Sequence, residues 1–338
     1  MRFARVGRSG LSVSRLCLGS MYFGGPTPER EALQLMDAAL HAGIVFWDTS
    51  IMYNAGRSEE VVGRGLRELG ARDRVVLASK VFYPMGEGPN DRGTGRRHIL
   101  QELDAQLRRL QTDWIDLYYL HRPDFETPLD ETIETLNACV YAGKIRYWAT
   151  STFPGWRMAE AWWRCERRGW SPPICEQAPY NLLDRRIEGE RLAFLRAYGW
   201  GLVSWSPLAG GLLSGKYAVG AMDAPPAGTR LADLQERYRR RVGTPGLAKA
   251  EELAQLARRA GIEPIHLAIA WLLHQDGLTA TVIGPRTLRQ MQAYIDAEDV
   301  ALDRSFLRDV DAIVPPGSAF ADFHDTSGWH VGPLTHAG

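Results

Sequence analysis

The sequence has few cysteines, which form the disulfides of small extracellular domains, and no excess of positive charge, which would attract polyanions. It has only four cysteines in 338 residues, at Cys17, Cys139, Cys165 and Cys175. None forms a C-x-x-C pair or stands beside a histidine cluster, so we expect buried, reduced thiols rather than disulfides or a metal site. Forty Lys and Arg balance forty Asp and Glu. A zero formal charge gives no electrostatic reason to expect nucleic acid or an anionic membrane as a partner.

Long apolar runs are also missing. No stretch reaches the roughly 18 apolar residues of a membrane-spanning helix. The N-terminal segment lacks the apolar core of a signal peptide. We therefore expect a cytoplasmic protein that acts on a small molecule, and a neutral chain of this kind is compatible with a homo-oligomer.

What is present is ordinary globular composition, with 45% apolar and 24% charged residues. The length fits one large α/β domain or two average ones. The chain shows neither a domain linker nor a repeat beyond the alternation described next. We therefore predict a single domain over residues 1–338.

Short apolar runs alternate with amphipathic stretches, after a hairpin predicted at residues 3–6 and 13–16. Eight runs are short and rich in Val, Ile, Leu and aromatics, as parallel strands buried on both faces are: 15–18, 44–47, 75–79, 114–120, 145–150, 174–177, 201–205 and 280–283. Helical periodicity falls between them, at 29–41, 97–110, 129–142, 158–168, 188–198, 247–260, 264–274 and 287–297.

This alternation predicts an α/β fold of the (β/α)₈ TIM barrel type, with an N-terminal hairpin. A doubly wound open sheet is the alternative, but residues 19–25 after the first strand do not read G-x-G-x-x-G. Long connections at 84–95, 216–246 and 315–338 are expected at the C-terminal face, where such loops line or cover a site.

Polar side chains stand where the predicted strands end. Asp48, Lys80 and His121 follow three successive strands, and Tyr53 lies in the loop beyond Asp48. Each has an ordinary structural explanation alone, such as a cap, a solvated charge or a loop aromatic. Their convergence on one barrel mouth is what indicates a catalytic site.

These four groups suit carbonyl reduction. Hydride addition to a carbonyl gives the oxygen alkoxide character, and that oxygen needs a proton, which a phenol can donate. A nearby ammonium stabilises the phenolate, and a carboxylate can hold the ammonium in place. A neutral imidazole can donate a hydrogen bond to the carbonyl oxygen. No H-E-x-x-H motif or nucleophilic triad competes with this interpretation.

The sequence resembles the aldo-keto reductase superfamily over most of its length. The resemblance is carried by AGIVFWDT at 42–49 with Tyr53 and the following GRSE, by VLASK at 76–80, and by LRRLQTDWIDLYYLHRPD at 107–124. It implies a catalytic tetrad of Asp48, Tyr53, Lys80 and His121. Further segments resemble the branch with potassium-channel β subunits and their bacterial relatives. Those subunits have Asn where this chain has His121, which favours an enzyme.

The resemblance also implies an NADP(H) cofactor. Ser151 and Gln177 are expected at the nicotinamide carboxamide, Trp205 on the nicotinamide ring, and Arg286 at the adenosine 2′-phosphate. The remaining expected cofactor contacts are Ser20, Met21, Asp48, Ser206, Pro207, Leu208, Gly210, Lys216, Arg230, Gly284 and Gln290. Ala293 and Tyr294 depart from the usual Glu-Asn pair at the adenine end, and Thr152 replaces a common Asn.

Aromatic and apolar residues near the strand ends are candidate substrate walls and favour an uncharged aromatic, aliphatic or polycyclic carbonyl. They are Tyr22, Phe23, Met52, Phe82 and Tyr83, with the tail aromatics Phe320, Phe323 and Trp329 as further candidates. Two alternatives stay open: a reductase of imines rather than carbonyls, and a slow-turnover protein that senses NADPH by binding it.

Overall fold

The computed structural model describes residues 1–217, 221–227, 229–233 and 236–322. Strands β1 (Phe3–Arg5) and β2 (Ser12–Ser14) form an antiparallel hairpin. Eight further strands pair in parallel with their neighbours and close into a barrel, which confirms the predicted (β/α)₈ fold and its N-terminal hairpin. They are β3 (Leu16–Gly19), β4 (Phe46–Asp48), β5 (Val76–Val81), β6 (Ile115–Leu120), β7 (Ile145–Ser151), β8 (Cys175–Pro179), β9 (Gly201–Trp205) and β10 (Leu278–Ile283).

Helices surround the barrel, most of them within a few residues of the predicted bounds. They are α1 (Glu29–His41), α2 (Arg57–Glu68), α3 (Arg96–Leu110), α4 (Leu129–Tyr141), α5 (Gly155–Arg168), α6 (Glu190–Tyr198), α7 (Arg230–Asp233), α8 (Glu236–Arg259), α9 (Pro264–Leu273), α10 (Leu288–Asp296) and α11 (Arg304–Ile313). Helix α8 starts well before the predicted residue 247, but it is interrupted at Gly243, whose φ is +61°.

The periodicity missed three helices: α2, α11 and the four-residue α7. Two glycines weaken the helical signal of α2, but close packing requires both of them. A Cβ on Gly63 would lie 2.4 Å from the carbonyl oxygen of Arg109, and one on Gly65 would lie 2.3 Å from the methyl group of Met36. Helix α11 begins at an Asp303 cap, whose side chain accepts a hydrogen bond from the backbone N–H of Phe306.

The barrel interior is filled with side chains, as in other barrels of this type. The interior cluster contains Val6 and Val13 from the hairpin region, and Arg8 N–H donates to the carbonyl of Gly199 just before β9. The hairpin therefore covers the N-terminal end of the barrel, and the C-terminal end remains for a site. In the described part of the chain, no helix is long and apolar enough to cross a membrane. All four cysteines are buried and unbonded to one another.

Candidate active site

The C-terminal ends of neighbouring strands bring the predicted catalytic side chains together. Asp48 is the last residue of β4, Lys80 lies near the end of β5, and His121 directly follows β6. Because the strands are parallel, their ends meet at the same rim. Register supports the contact, since Asp48 pairs with Ala78 on β5, two residues before Lys80.

Lys80 connects Asp48 and Tyr53 through hydrogen bonds. Its ammonium is fully buried and donates to a carboxylate oxygen of Asp48, to the carbonyl oxygen of Thr49 at 2.9 Å and to the hydroxyl of Tyr53 at 3.2 Å. The second carboxylate oxygen of Asp48 accepts from the side-chain amide of Gln177 at 2.9 Å. The ammonium therefore has a fixed position beside the phenol oxygen.

A tight turn places Tyr53 over this pair. The tyrosine opens a 3₁₀ turn, and the next three residues have positive φ angles: 50° at Asn54, 54° at Ala55 and 88° at Gly56. The Asn54 side chain donates to the carbonyls of Met21 (3.1 Å) and Phe23 (2.8 Å), which ties this turn to the loop after β3. Left-handed non-glycine residues are costly and persist where surrounding structure holds them, often at functional sites.

The protonation states follow from burial and charge. Burial raises the pKa of the Tyr53 phenol above its ordinary value, and the lowering effect of Lys80 does not offset it. Burial alone would lower the pKa of Lys80, but Asp48 and Tyr53 outweigh it and the net pKa is raised. Tyr53 remains a protonated donor at neutral pH, and Lys80 remains charged.

His121 lies beside the Tyr53 phenol, and its imidazole is neutral. Burial lowers the pKa of the imidazole well below its ordinary value, and the Lys80 and Arg122 charges lower it further. Its Nδ1 is 3.1 Å from the hydroxyl of Ser50. Edge-on contacts with the rings of Tyr53 and Tyr83, at centroid distances of 6.1 and 5.0 Å, fix the ring plane.

These groups open onto a cleft of about 570 Å³. Most of the predicted site residues line it: Met21, Tyr22, Asp48, Met52, Tyr53, Tyr83, His121, Ser151, Gln177, Trp205, Ser206, Pro207, Leu208, Gly210, Lys216, Gly284, Arg286 and Gln290. The cleft therefore runs from the tetrad, past the end of β9, to the loop before α10.

The middle and far ends of the cleft have groups suited to phosphates. After β9, Ser206, Ala209, Gly210 and Gly211 have φ angles of 56°, 49°, 67° and 100°, which is the left-handed backbone found in anion-binding nests. Lys216 lines the same segment. At the far end, the N-terminus of α10, capped by the hydroxyl of Thr287, and the Arg286 guanidinium face the cleft. With Trp205 as a ring-stacking surface, these residues fit a dinucleotide.

Comparison with known proteins agrees with this geometry. The aldo/keto reductase family model matches residues 15–315. The chain belongs to the aldo/keto reductase family. It is 42% identical over 330 residues to the oxidoreductase YrpG of Bacillus subtilis, covering 94% of this chain and 97% of that relative. Probable voltage-gated potassium channel β subunits of Oryza sativa and Arabidopsis thaliana are 38% and 36% identical over 305 residues, covering 89% of this chain and 92% of each relative.

As an aldo/keto reductase, the protein is an oxidoreductase of a family that generally uses NAD(P)H. Three predicted contacts do not fit the structure. Ser20 is buried behind the cleft, where its hydroxyl contacts the carbonyl oxygen of Asp48 at 3.0 Å and the hydroxyl of Ser58 at 2.7 Å. Phe23 is fully buried in the core. Phe82 packs edge-on against Tyr83 outside the cleft lining. Ser20 and Phe23 are buried because of the conformation of the loop after β3, which periodicity does not specify.

Four tail and loop predictions have different outcomes. Phe320 is not part of the cleft lining; its ring lies 5.6 Å from the Lys249 ammonium. Phe323 and Trp329 lie outside the described residues, as does the side chain of Arg230.

The cleft lining also contains Arg122, which the sequence did not assign to the site, and Thr152 and Tyr294, which were named only as departures from the family's usual residues. Arg122 and Thr152 line the cleft beside the catalytic cluster, and Tyr294 lines it near Arg286. Arg122 follows His121 directly, so its position next to a predicted catalytic residue was the available signal.

Proposed function

We propose that this protein reduces an aldehyde or ketone to an alcohol, with NADPH as hydride donor and Tyr53 as proton donor. The observation that carries the proposal is the Lys80 ammonium, which contacts both Asp48 and the Tyr53 oxygen at the base of a cleft lined by dinucleotide-type groups. The cofactor would supply a hydride when bound along Trp205, the 206–211 segment and Arg286.

The proposed proton path uses Tyr53. A substrate carbonyl oxygen within reach of the phenol receives its proton as negative charge develops on that oxygen. Lys80 then stabilises the phenolate left behind, since its ammonium already donates to that oxygen at 3.2 Å. Asp48 holds the ammonium by accepting one of its hydrogen bonds.

His121 is proposed to orient the substrate. When Ser50 donates to Nδ1 of the imidazole, the ring proton is on Nε2, from which it can be donated to the carbonyl oxygen. The lowered pKa keeps the ring neutral, so it donates a hydrogen bond without giving up its proton. Proton transfer and substrate orientation therefore belong to different residues.

Steady-state NADPH oxidation with a panel of aldehydes, ketones and cyclic imines tests this function. We expect turnover on carbonyls at rates typical of enzymes, roughly 1 s⁻¹ or faster. A preference for imines would favour the imine reductase. Tight NADPH binding with no turnover on the whole panel would contradict the proposal and favour a cofactor-sensing protein, an alternative that the similarity to channel β subunits supports.

Coenzyme choice gives a sharper test. Arg286 lines the cleft near the start of α10, and a guanidinium can hold a phosphate through two hydrogen bonds. We expect Arg286→Ala to raise the KM for NADPH roughly tenfold or more, with about twofold or less change for NADH, because only NADPH has the 2′-phosphate.

Arg289→Ala is the matched control, because Arg289 is an exposed arginine in the first turn of α10 and is not part of the cleft lining. It should leave both KM values unchanged. An equal rise for the two coenzymes in Arg286→Ala would contradict a role in 2′-phosphate recognition.

A further inference from the structure

Arg122 occupies a defined position at the catalytic end of the cleft. It directly follows His121, and its side chain is half-buried in the cleft lining. Its Nε donates to the hydroxyl of Tyr83 at 2.9 Å, and its Nη1 donates to the hydroxyl of Thr152 at 3.1 Å. These partners follow β5 and β7, the strands on either side of β6, so the guanidinium is held from both sides.

Both of these partners are uncharged. Within the described part of the chain, Arg122 makes no ion pair, whereas Arg72, Arg109 and Arg185 each contact a carboxylate within 3 Å. The nearby Asp124 carboxylate accepts hydrogen bonds from residues 94, 126 and 127 instead. An anionic ligand in the cleft can therefore pair with this guanidinium without displacing a carboxylate of the described residues.

The Arg122 guanidinium has N–H donors beyond those that contact Tyr83 and Thr152. A guanidinium has five N–H groups in a planar fork, and the two bonds to Tyr83 and Thr152 use two of them. The remaining fork suits a carboxylate or phosphate, which accepts two parallel hydrogen bonds. Because Arg122 adjoins His121, an anion bound there lies beside the position proposed for the substrate carbonyl.

We propose that the substrate is a carbonyl compound with an anionic group, carboxylate or phosphate, that binds to Arg122. The inference rests on the proposed reductase function and adds the substrate class. It replaces the expectation of an uncharged substrate, which was based on a larger set of aromatic and apolar residues that includes Tyr22 and Met52, both at the cleft. Those two residues would contact the carbon chain between the carbonyl and the anion.

Matched substrate pairs test the proposal. Butanal and succinic semialdehyde differ by a carboxylate, and glycolaldehyde and glycolaldehyde phosphate differ by a phosphate. We expect the wild-type protein to have a kcat/KM at least about tenfold higher on the anionic member of one pair, and Arg122→Gln to lose roughly 10–100-fold on that member, as expected for a charge-assisted hydrogen bond. The loss on neutral members should be about threefold or less. The pair with the larger loss identifies the anion.

Three comparisons make the result specific. Arg146→Gln removes an exposed arginine at the start of β7, at the other end of the barrel, and should change neither substrate class. Succinate should inhibit butanal reduction by the wild-type protein more strongly than succinamide does, and Arg122→Gln should abolish that difference. Arg122→Lys should lose less than Arg122→Gln, since it keeps the charge but not the fork.

The outcomes separate this inference from the proposed function. Neutral aldehydes reduced as well as anionic ones, or equal losses on both in Arg122→Gln, would overturn the substrate class while the reductase function stands. If the wild-type protein reduces no member of either pair and no carbonyl in the wider panel, both the substrate class and the reductase function are overturned.

Discussion

Replacing Tyr53 with phenylalanine is expected to lower kcat for carbonyl reduction by roughly 10²–10⁴-fold, the contribution of a positioned general acid. The substitution removes one oxygen and little else. Lys80 would keep its contacts with Asp48 and the carbonyl of Thr49, so the buried ion pair survives and the cleft keeps its shape. The loss should therefore be in the chemical step.

Single-turnover NADPH oxidation measured by stopped flow, with saturating aldehyde, reports that step directly. NADPH binding, followed by fluorescence, should change by about twofold or less, because losing one group that does not bind the coenzyme costs little affinity. Tyr141→Phe is the matched control, since that side chain is 74% exposed. Tyr53→Phe turning over at the wild-type rate would refute the proposed mechanism.

The sequence predicted the tetrad because the C-terminal ends of the parallel barrel strands all lie at one rim, so residues at those ends are close in space. Each strand end reaches the same rim, so Asp48, Lys80 and His121 could be assigned to one site without coordinates. Side-chain direction in loops has no such rule. Phe23 was expected at the substrate and is fully buried in the core, while Arg122 was overlooked and lines the cleft.

The direction of the Tyr53 pKa shift could not be predicted from the sequence either. The sequence correctly placed an ammonium near the phenol, but the sign of the Tyr53 pKa shift depends on burial depth. Burial outweighs the charge of Lys80, and burial depends on the whole loop arrangement around Asn54 and Ala55. The helix α2 was missed for a related reason, since Gly63 and Gly65 lower its helical propensity but permit its close contacts with Arg109 and Met36.

The same helix α2 supports the site from behind, through the carboxylate of Glu59. This side chain is fully buried and accepts hydrogen bonds from Ser79 and Gln106, both at 2.7 Å, and from Nε of Arg109 at 2.7 Å. Successive strand residues face opposite sides, so Ser79 reaches this network while Lys80 reaches Asp48 and Tyr53. Gln106 also donates to the carbonyl oxygen of Lys80 at 3.4 Å.

Glu59→Ala is expected to lower the free energy of unfolding by about 3–5 kcal/mol, because it leaves a partly buried guanidinium and two buried donors without their acceptor. Glu102 lies 3.4 Å from Arg109 and offsets only part of that loss. The first urea-unfolding transition, followed by circular dichroism, measures the change. Glu60→Ala, at an exposed position on the same helix, should change it by about 0.5 kcal/mol or less.

The double variant Glu59→Leu with Arg109→Met separates loss of the pair from loss of one partner. Removing both charges should recover part of the stability that Glu59→Leu alone loses, because Arg109 no longer lacks its carboxylate, while Glu102 loses only its longer 3.4 Å contact with Arg109. Equal stability of Glu59→Ala and Glu60→Ala would show that the network adds nothing. If the network stabilises β5 as the contacts indicate, Glu59→Ala should also lower kcat at temperatures where it remains folded, since Lys80 would lose part of its backbone support.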